Sequence, residues 1–292
     1  MAIQFQHHPG LVVYLSAGDT GLTPRESHAG HAGGAVDLSL TREIALAAID
    51  AGADVIEIGV PYSDPLGDGP VIQRASERAL LRGTRLVDVL ALAAELRAAR
   101  PQAGLVIFSY LNPILRFGLP AFVDAAAAAG VDGVLLIDMI VEEAGEYLAE
   151  MKRVNLAPIF LAAPTSPEER LKAIVEHSQG FVYAISRTGI TGQQKDVETG
   201  AAALVERLRR WTHWRGLPIA VGFGISNAEH VAQVGKFADA AVIGSAIVEL
   251  IERSTEEQAP EAVSRFIRGL FTQGLHRQHE VQALEQREPA SL

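Results

Sequence analysis

Ala51-Gly52-Ala53-Asp54-Val55-Ile56-Glu57-Ile58-Gly59-Val60-Pro61-Tyr62-Ser63-Asp64-Pro65-Leu66-Gly67-Asp68-Gly69-Pro70 is the stretch on which the reading of this chain turns. It opens on a helix end, turns at Gly52 and enters Val55–Ile58, a short apolar run suited to a buried strand. A loop dense in Pro, Gly and Asp follows at once. The run carries one carboxylate, Glu57, and the loop carries two more, Asp64 and Asp68. A charge inside a buried strand is costly unless it is paired or used. A strand-borne acid beside an acidic loop suits proton transfer: one rigidly held group and one mobile group at the same mouth.

The same unit recurs along the chain. Apolar runs near Val12–Leu15, Val55–Ile58, Leu105–Phe108, Gly133–Ile137, Pro158–Leu161, Phe181–Ile185, Ile219–Val221 and Ala241–Ile243 read as strands. Helical patterns sit between them, among them Leu40–Ala51, Leu86–Ala99, Ala121–Ala129, Val141–Val154, Pro167–His177, Ala201–Trp211 and Ala228–Val234. The strand runs are continuous rather than alternating, as expected of parallel strands covered by helices. Eight βα units in roughly 250 residues predict an α/β fold, a single (β/α)8 TIM barrel. A doubly wound open sheet is the alternative. Ala51-Gly52-Ala53-Asp54, Ala129-Gly130-Val131-Asp132 and Phe237-Ala238-Asp239-Ala240 each join a helix end to a strand start. They read as structural turns on the bottom face, with glycine in the left-handed cap of the first two.

Composition narrows the function. The chain has 292 residues, 48% of them hydrophobic, enough for a large core. A net charge of -10 without a basic block argues against nucleic acid. The N-terminus lacks a signal-peptide pattern. The most apolar stretch, 121–141, is interrupted by Asp124, Asp132 and Asp138, so no membrane span is expected. The absence of cysteine excludes thiol chemistry and Cys-zinc sites. A cytoplasmic location is the default. The expected organisation is one catalytic domain over 1–275, interrupted by an inserted loop at about 20–36, and a polar tail over 276–292.

In a barrel of this kind the active site lies at the C-terminal ends of the strands. The first strand leads to Ser16-Ala17-Gly18-Asp19, the third to Ser109-Tyr110-Leu111-Asn112-Pro113 and the fourth to Asp138. The last three lead to Ser186-Arg187-Thr188-Gly189-Ile190-Thr191-Gly192, Gly222-Phe223-Gly224-Ile225-Ser226 and Gly244-Ser245-Ala246. Gly-rich turns after late strands present backbone N–H groups to an anion. Gly192, Gly224, Gly244 and Ser245 are therefore the expected phosphate donors. Burial should raise the pKa of Glu57 toward use as a general acid. Asp68, on a Gly-flanked loop, should remain an anion able to hold an N–H group. Carboxylates in different environments can take different protonation roles.

At these residues the chain resembles the tryptophan synthase α subunit family. Glu57-Ile58-Gly59-Val60-Pro61-Tyr62-Ser63-Asp64-Pro65-Leu66-Gly67-Asp68-Gly69-Pro70-Val71-Ile72-Gln73 is similar to that family's long loop-two signature. Tyr110-Leu111-Asn112-Pro113-Ile114, Ala163-Pro164-Thr165, Ser186 to Gly192, Gly222 to Ser226 and Gly244 to Val248 support it, and the likeness runs from about Val12 to Glu252. The resemblance implies retro-aldol cleavage of indole-3-glycerol phosphate to indole and glyceraldehyde 3-phosphate, in tryptophan biosynthesis. It implies Glu57 as the acid/base and Asp68 as the holder of the indole N–H. Tyr183 matches an active-site tyrosine, and Thr191 and Gly192 match a lid loop. Tyr14, Phe108, Leu135 and Phe223, with Tyr110, are the expected indole-pocket and substrate-binding residues. No metal or organic cofactor is implied. The implied partner is a PLP-dependent β subunit in an α2β2 assembly, facing Asp64, Pro65 and Asn112.

The chain departs from the family pattern at Thr20, at the insertion over Gly21 to Val36, at Gly67, at Ile140 and at Gln193. These departures motivate a stand-alone lyase that releases free indole as an alternative. A non-catalytic regulatory subunit that binds a sugar phosphate is the reading from another class. His28 and His31, with His7 and His8, could approach metal-ligand chemistry, but Gly-rich surroundings argue against a preformed site. Trp211 and Trp214 flank His213 and are expected on the outer or bottom wall. Arg187 either shapes the lid or forms a structural ion pair.

Overall fold

The computed structural model describes residues 3–21, 36–185, 194–222 and 224–271, with the backbone alone over 194–199. In chain order the elements are β1 (Gly10–Ser16), α1 (Ser39–Asp50), β2 (Val55–Gly59), α2 (Pro70–Leu81), α3 (Leu86–Ala99), β3 (Gly104–Ser109), α4 (Leu111–Phe117), α5 (Leu119–Ala128) and β4 (Gly133–Leu136). A 3-10 turn (Val141–Glu143), α6 (Gly145–Arg153), β5 (Ala157–Ile159), β6 (Leu161–Ala162), α7 (Glu168–His177), β7 (Val182–Ile185) and α8 (Gln194–Thr212) follow. After a second 3-10 turn (His213–Arg215) come β8 (Ile219–Gly222), α9 (Ala228–Val234), β9 (Ala240–Ile243) and α10 (Ser245–Arg253). Residues 259–271 add a further helix.

All strand pairs are parallel, in the order β5-β4-β3-β2-β1-β9-β8-β7-β6. The predicted fifth strand, Pro158–Leu161, is divided at Phe160. Its first part pairs with β4 and its second with β7. Phe160 O still accepts the Tyr183 N–H at 3.1 Å, so the chain bridges the two ends of the sheet and makes it a barrel of eight strand positions. A strand that hands over from one neighbour to the other bends at the handover, and a continuous strand pattern does not show it.

Two apolar layers result from the alternation of side chains along each strand. Leu11, Val13, Ile56, Ile58, Leu105, Ile107, Val221 and Ile243 face outward into the main core beneath the helices. Val12, Val55, Val106, Leu135, Ala220 and Val242 face inward and fill the barrel. Both faces of the sheet are therefore apolar, the reason the strands read as unbroken runs.

Three helices beyond those singled out from sequence frame the top of the barrel: α2, α4 and α10. α2 starts with Pro70 in its first turn, where the missing N–H costs nothing. The expected helix Val141–Val154 is a 3-10 turn followed by α6, because Ala144 (ψ 11°) leaves the helical range just before Gly145. α8 begins earlier than expected, at Gln194, and α5 at Leu119.

The bottom turns share one device. Asp54 accepts the Leu11 N–H at 2.8 Å, Asp132 the Leu105 N–H at 2.9 Å and Asp239 the Ile219 N–H at 2.7 Å. Each aspartate at a strand entry thus satisfies the exposed donor of the neighbouring strand. Trp211 is half-buried on the outer wall under the Lys172 ammonium, 5.6 Å from its ring centre, and Trp214 is exposed. No helix among the described residues is long and apolar enough to cross a membrane.

Candidate active site

Glu57 shares the inward parity of Val55 on β2, so strand geometry drives its carboxyl into the barrel. It is 0% exposed, and neither of its oxygens has a hydrogen-bond partner among the described residues. Burial pushes its pKa up to about 8, as expected for a carboxyl without a compensating charge. At neutral pH the group therefore holds a proton.

Around it stand the expected aromatic residues. Tyr14 lies opposite Glu57 in the β1–β2 register, and Val106 lies opposite on β3. The Tyr14 and Phe108 rings meet edge to face, centres 5.1 Å apart. Leu135 and Tyr183 complete the inner wall. Two strand-end glycines make room for the tyrosines: a Cβ on Gly59 would come within 2.3 Å of Tyr14 Oη, and one on Gly222 within 2.3 Å of Tyr183 Oη. Burial holds both hydroxyls well above the ordinary tyrosine range, and the charges of Glu57 and Asp68 push both further in the same direction.

The loop from Val60 to Gly69 carries Asp68 from the end of β2 to α2. Tyr110, buried at the end of β3, donates its hydroxyl to Asp68 Oδ2 at 3.0 Å and accepts the Gly67 N–H at 2.9 Å. Burial raises the pKa of Asp68 to about 6, and the Tyr110 hydrogen bond opposes the rise. The aspartate is thus an anion at neutral pH, as expected, but with an affinity for protons above that of a freely solvated loop acid. Tyr62 stacks on Tyr110 with ring centres 4.9 Å apart. Ser76 of α2 accepts the Tyr62 N–H at 2.8 Å and donates to the Tyr62 carbonyl at 3.0 Å. Asp64 is exposed; its carboxylate accepts the Ser63 hydroxyl at 2.6 Å and its carbonyl the Leu66 N–H at 2.9 Å. Asp138 accepts the Leu111 N–H at 2.7 Å, which starts α4.

Further round the rim, beyond β1, β9 and β8 are neighbours, so their C-terminal turns lie side by side. Gly224 follows β8 in a left-handed conformation (φ 84°), and Asn227 caps α9 through the His230 N–H at 2.9 Å. Gly244 precedes α10, whose first residue is Ser245. The first amides of a helix have no intrahelical acceptor and point at an incoming anion. Thr191, Gly192, Phe223, Arg187, His28 and His31 lie outside the described residues. His7 contacts Asp54 at 3.0 Å and His8 contacts the Gly235 carbonyl at 3.0 Å, both on the bottom face. No cluster suited to a metal ion occurs among the described residues.

Sequence reasoning missed Ile72 and Ile137, which join the inner apolar cluster, and the pinning role of Ser76. Ile72 follows the acidic loop at helical spacing from Ala75 and Ala79, a signal that would have placed it on the buried face of α2.

A family model for the tryptophan synthase alpha chain matches residues 31–273. The tryptophan synthase alpha chain of Solibacter usitatus is 46% identical over 256 residues, 88% of each chain. Among solved structures, tryptophan synthase subunit alpha from Legionella pneumophila superposes with a TM-score of 0.77 at 30% identity, over 92% of this chain and 93% of that one. A chain of the tryptophan synthase complex from Pyrococcus furiosus gives 0.76 at 34% identity, over 89% and 97%.

Proposed function

This chain belongs to the tryptophan synthase alpha chain family, and we propose that it performs the lyase step of tryptophan biosynthesis through Glu57 and Asp68. The substrate is indole-3-glycerol phosphate. Protonated Glu57 gives its proton to the ring carbon that bears the glycerol chain. The ring becomes an indolenine iminium, and the Asp68 carboxylate holds its N–H. Glu57, now a carboxylate, takes the proton of the hydroxyl on the adjoining glycerol carbon. The O–H electrons form the aldehyde, the carbon–carbon bond breaks, and its electrons return to the ring. Indole and glyceraldehyde 3-phosphate result, and Glu57 is protonated again.

The observation that carries this reading is the orphaned carboxyl of Glu57. A fully buried acid without a donor costs stability, and chemistry is the reason to keep it. The Tyr14, Phe108, Leu135 and Tyr183 wall takes the indole, and Tyr110 orients Asp68. The turns at Gly224 and Gly244–Ser245 take the phosphate, joined by Gly192, while Phe223 belongs to the indole pocket and Thr191 to the lid loop. Residues 1–275 make up the catalytic domain, and the setting is cytoplasmic.

The partner is a PLP-dependent tryptophan synthase β subunit, in an α2β2 complex. Leu66, 93% exposed at the tip of the acidic loop, and Ile140 and Leu115, also exposed, offer apolar surface beside Asp64, Pro65 and Asn112 for that contact. The test is indole release from indole-3-glycerol phosphate by the purified chain, with and without a β subunit. The expected result is slow release that rises sharply on adding the subunit. Fast release that the subunit leaves unchanged would make the chain a stand-alone lyase. An absence of release in both conditions would overturn the catalytic assignment.

A further inference from the structure

Behind the mouth of the barrel, four charged side chains outside the groups assigned to chemistry meet in one network. Asp19, in the loop after β1, is 3% exposed, and Glu252, in the last turn of α10, is 7% exposed. Arg78 of α2 holds both. Its Nε and Nη2 donate to the two oxygens of Asp19 at 2.7 and 3.0 Å, and its Nη1 donates to Glu252 Oε1 at 2.7 Å. Arg74, one turn earlier on α2, donates to both oxygens of Glu252 at 2.9 and 2.7 Å. The two arginines keep the Glu252 carboxyl well below the usual carboxylate range.

The location of this network matters more than its strength. Buried ion pairs give little net stability over apolar packing, but an arginine fork fixes geometry in a way a point charge does not. α2 starts two residues after Asp68 and is pinned to the acidic loop by Ser76. α10 starts at the Gly244–Ser245 turn. Ile72 and Ala75 of α2 and Val248 of α10 pack in the same inner cluster. The fork therefore joins the element that carries the acid end of the site to the element that carries the anion end.

We infer that Arg78 is a positioning residue, which sets the spacing between the Asp68 loop and the Gly244–Ser245 turn so that one substrate can engage both. The inference rests on the function proposed above. It distinguishes ligands that span the site from ligands that occupy one end. In Arg78→Lys the charge is kept, so folding is preserved, but one ammonium cannot replace the fork to two carboxylates. The expected result is a fall of at least tenfold in kcat/KM for indole-3-glycerol phosphate. The Kd values of indole alone and of glycerol 3-phosphate alone should each stay within twofold of wild type.

Arg97→Lys is the matched control. Arg97 also holds a buried aspartate, Asp132, but on the bottom face, and it is similarly shielded (19% side-chain exposure against 17% for Arg78). It should lower Tm and leave kcat/KM within twofold. Glu252→Gln, which weakens the same junction from the α10 side, should repeat the Arg78→Lys pattern and serves if that variant does not fold. Unchanged kcat/KM in both network variants overturns the inference. So does a loss of indole and glycerol 3-phosphate affinity in the same proportion as kcat/KM. Failure of the wild-type protein to release indole would instead bring down the proposed function, and this inference with it.

Discussion

Asp54 and Glu57 stand three residues apart, one just before β2 at the bottom and the other in the middle of β2 facing into the barrel, both carboxyl side chains and both almost wholly buried. Asp54 accepts the Leu11 and Gln6 N–H groups at 2.8 and 2.9 Å and contacts His7 at 3.0 Å. Among the described residues, nothing donates to Glu57. Asp132 and Asp239 repeat the Asp54 arrangement at other strand entries. Burial and the type of group are thus alike at the two places, and the supply of donors is what differs. At the bottom a carboxylate closes the barrel by satisfying backbone donors. At the top a carboxyl is left without donors, so its proton is held tightly enough to be kept at neutral pH and given up to a substrate.

Glu57→Gln breaks this comparison with the largest effect. It removes the exchangeable proton while keeping shape, and we expect indole release to fall by about 10³-fold or more, within the range general acid–base catalysis supplies. The same variant should gain stability at alkaline pH. The folded chain holds the Glu57 proton up to about 8, whereas an ordinary glutamate releases it near 4.5. Between those values the folded state binds more protons, so stability falls as pH rises, by at most ~1.4 kcal/mol per pH unit. Below that window the penalty vanishes. The Tm difference between Glu57→Gln and wild type should therefore grow from pH 5 to pH 8. A difference that stays flat with pH would show that Glu57 is not protonated in the folded enzyme.

Asp54→Ala is the converse. The buried Leu11 N–H loses its acceptor, at about 1–3 kcal/mol, and the part-buried Gln6 N–H loses one that water partly replaces, at about 1 kcal/mol. Denaturant unfolding should show a loss of about 2–4 kcal/mol, while kcat/KM well below the lowered Tm stays within a few-fold of wild type. A large drop in kcat/KM with intact stability would mean that the bottom carboxylates are coupled to the site and that the two ends are not separate in role.

The same distinction marks how far the sequence could be read. Apolar runs alternating with helical stretches show the barrel because both faces of each strand are covered. The acid on β2 stands out because a lone charge in such a run is rare. The turn aspartates were legible as structural through their repeated place after a helix end. Their hydrogen bonds to the neighbouring strand were not legible, because strand order appears only in the closed sheet. The break at Phe160 was hidden for the same reason: its two flanks look alike and differ only in which strand each one meets. Tyr110 could be assigned to the site, but not to Asp68 itself, since the two are brought together across β2 and β3. The Arg78 fork joins residues 19, 78 and 252, and no local pattern links them.

Tyr110→Phe tests the smaller contrast between the two acids of the site. Asp68 is half-buried like a loop residue, yet one donor holds its pKa to about 6 against the upward pull of burial. The reaction needs Asp68 ionised and Glu57 protonated, so kcat/KM should rise through about pH 6, level off, and fall above about pH 8. Removing the Tyr110 hydroxyl takes away a hydrogen bond that favours the aspartate anion. The acid limb should move to higher pH while the alkaline limb, set by the donorless Glu57, stays in place. Activity on the plateau should fall by about tenfold or less, since a single hydrogen bond to a charged group contributes about 1.5–3 kcal/mol and part of it is recovered by water. A profile in which both limbs move together would show that the two carboxyls titrate as one coupled pair, and that the donor on Asp68 does not separate their roles.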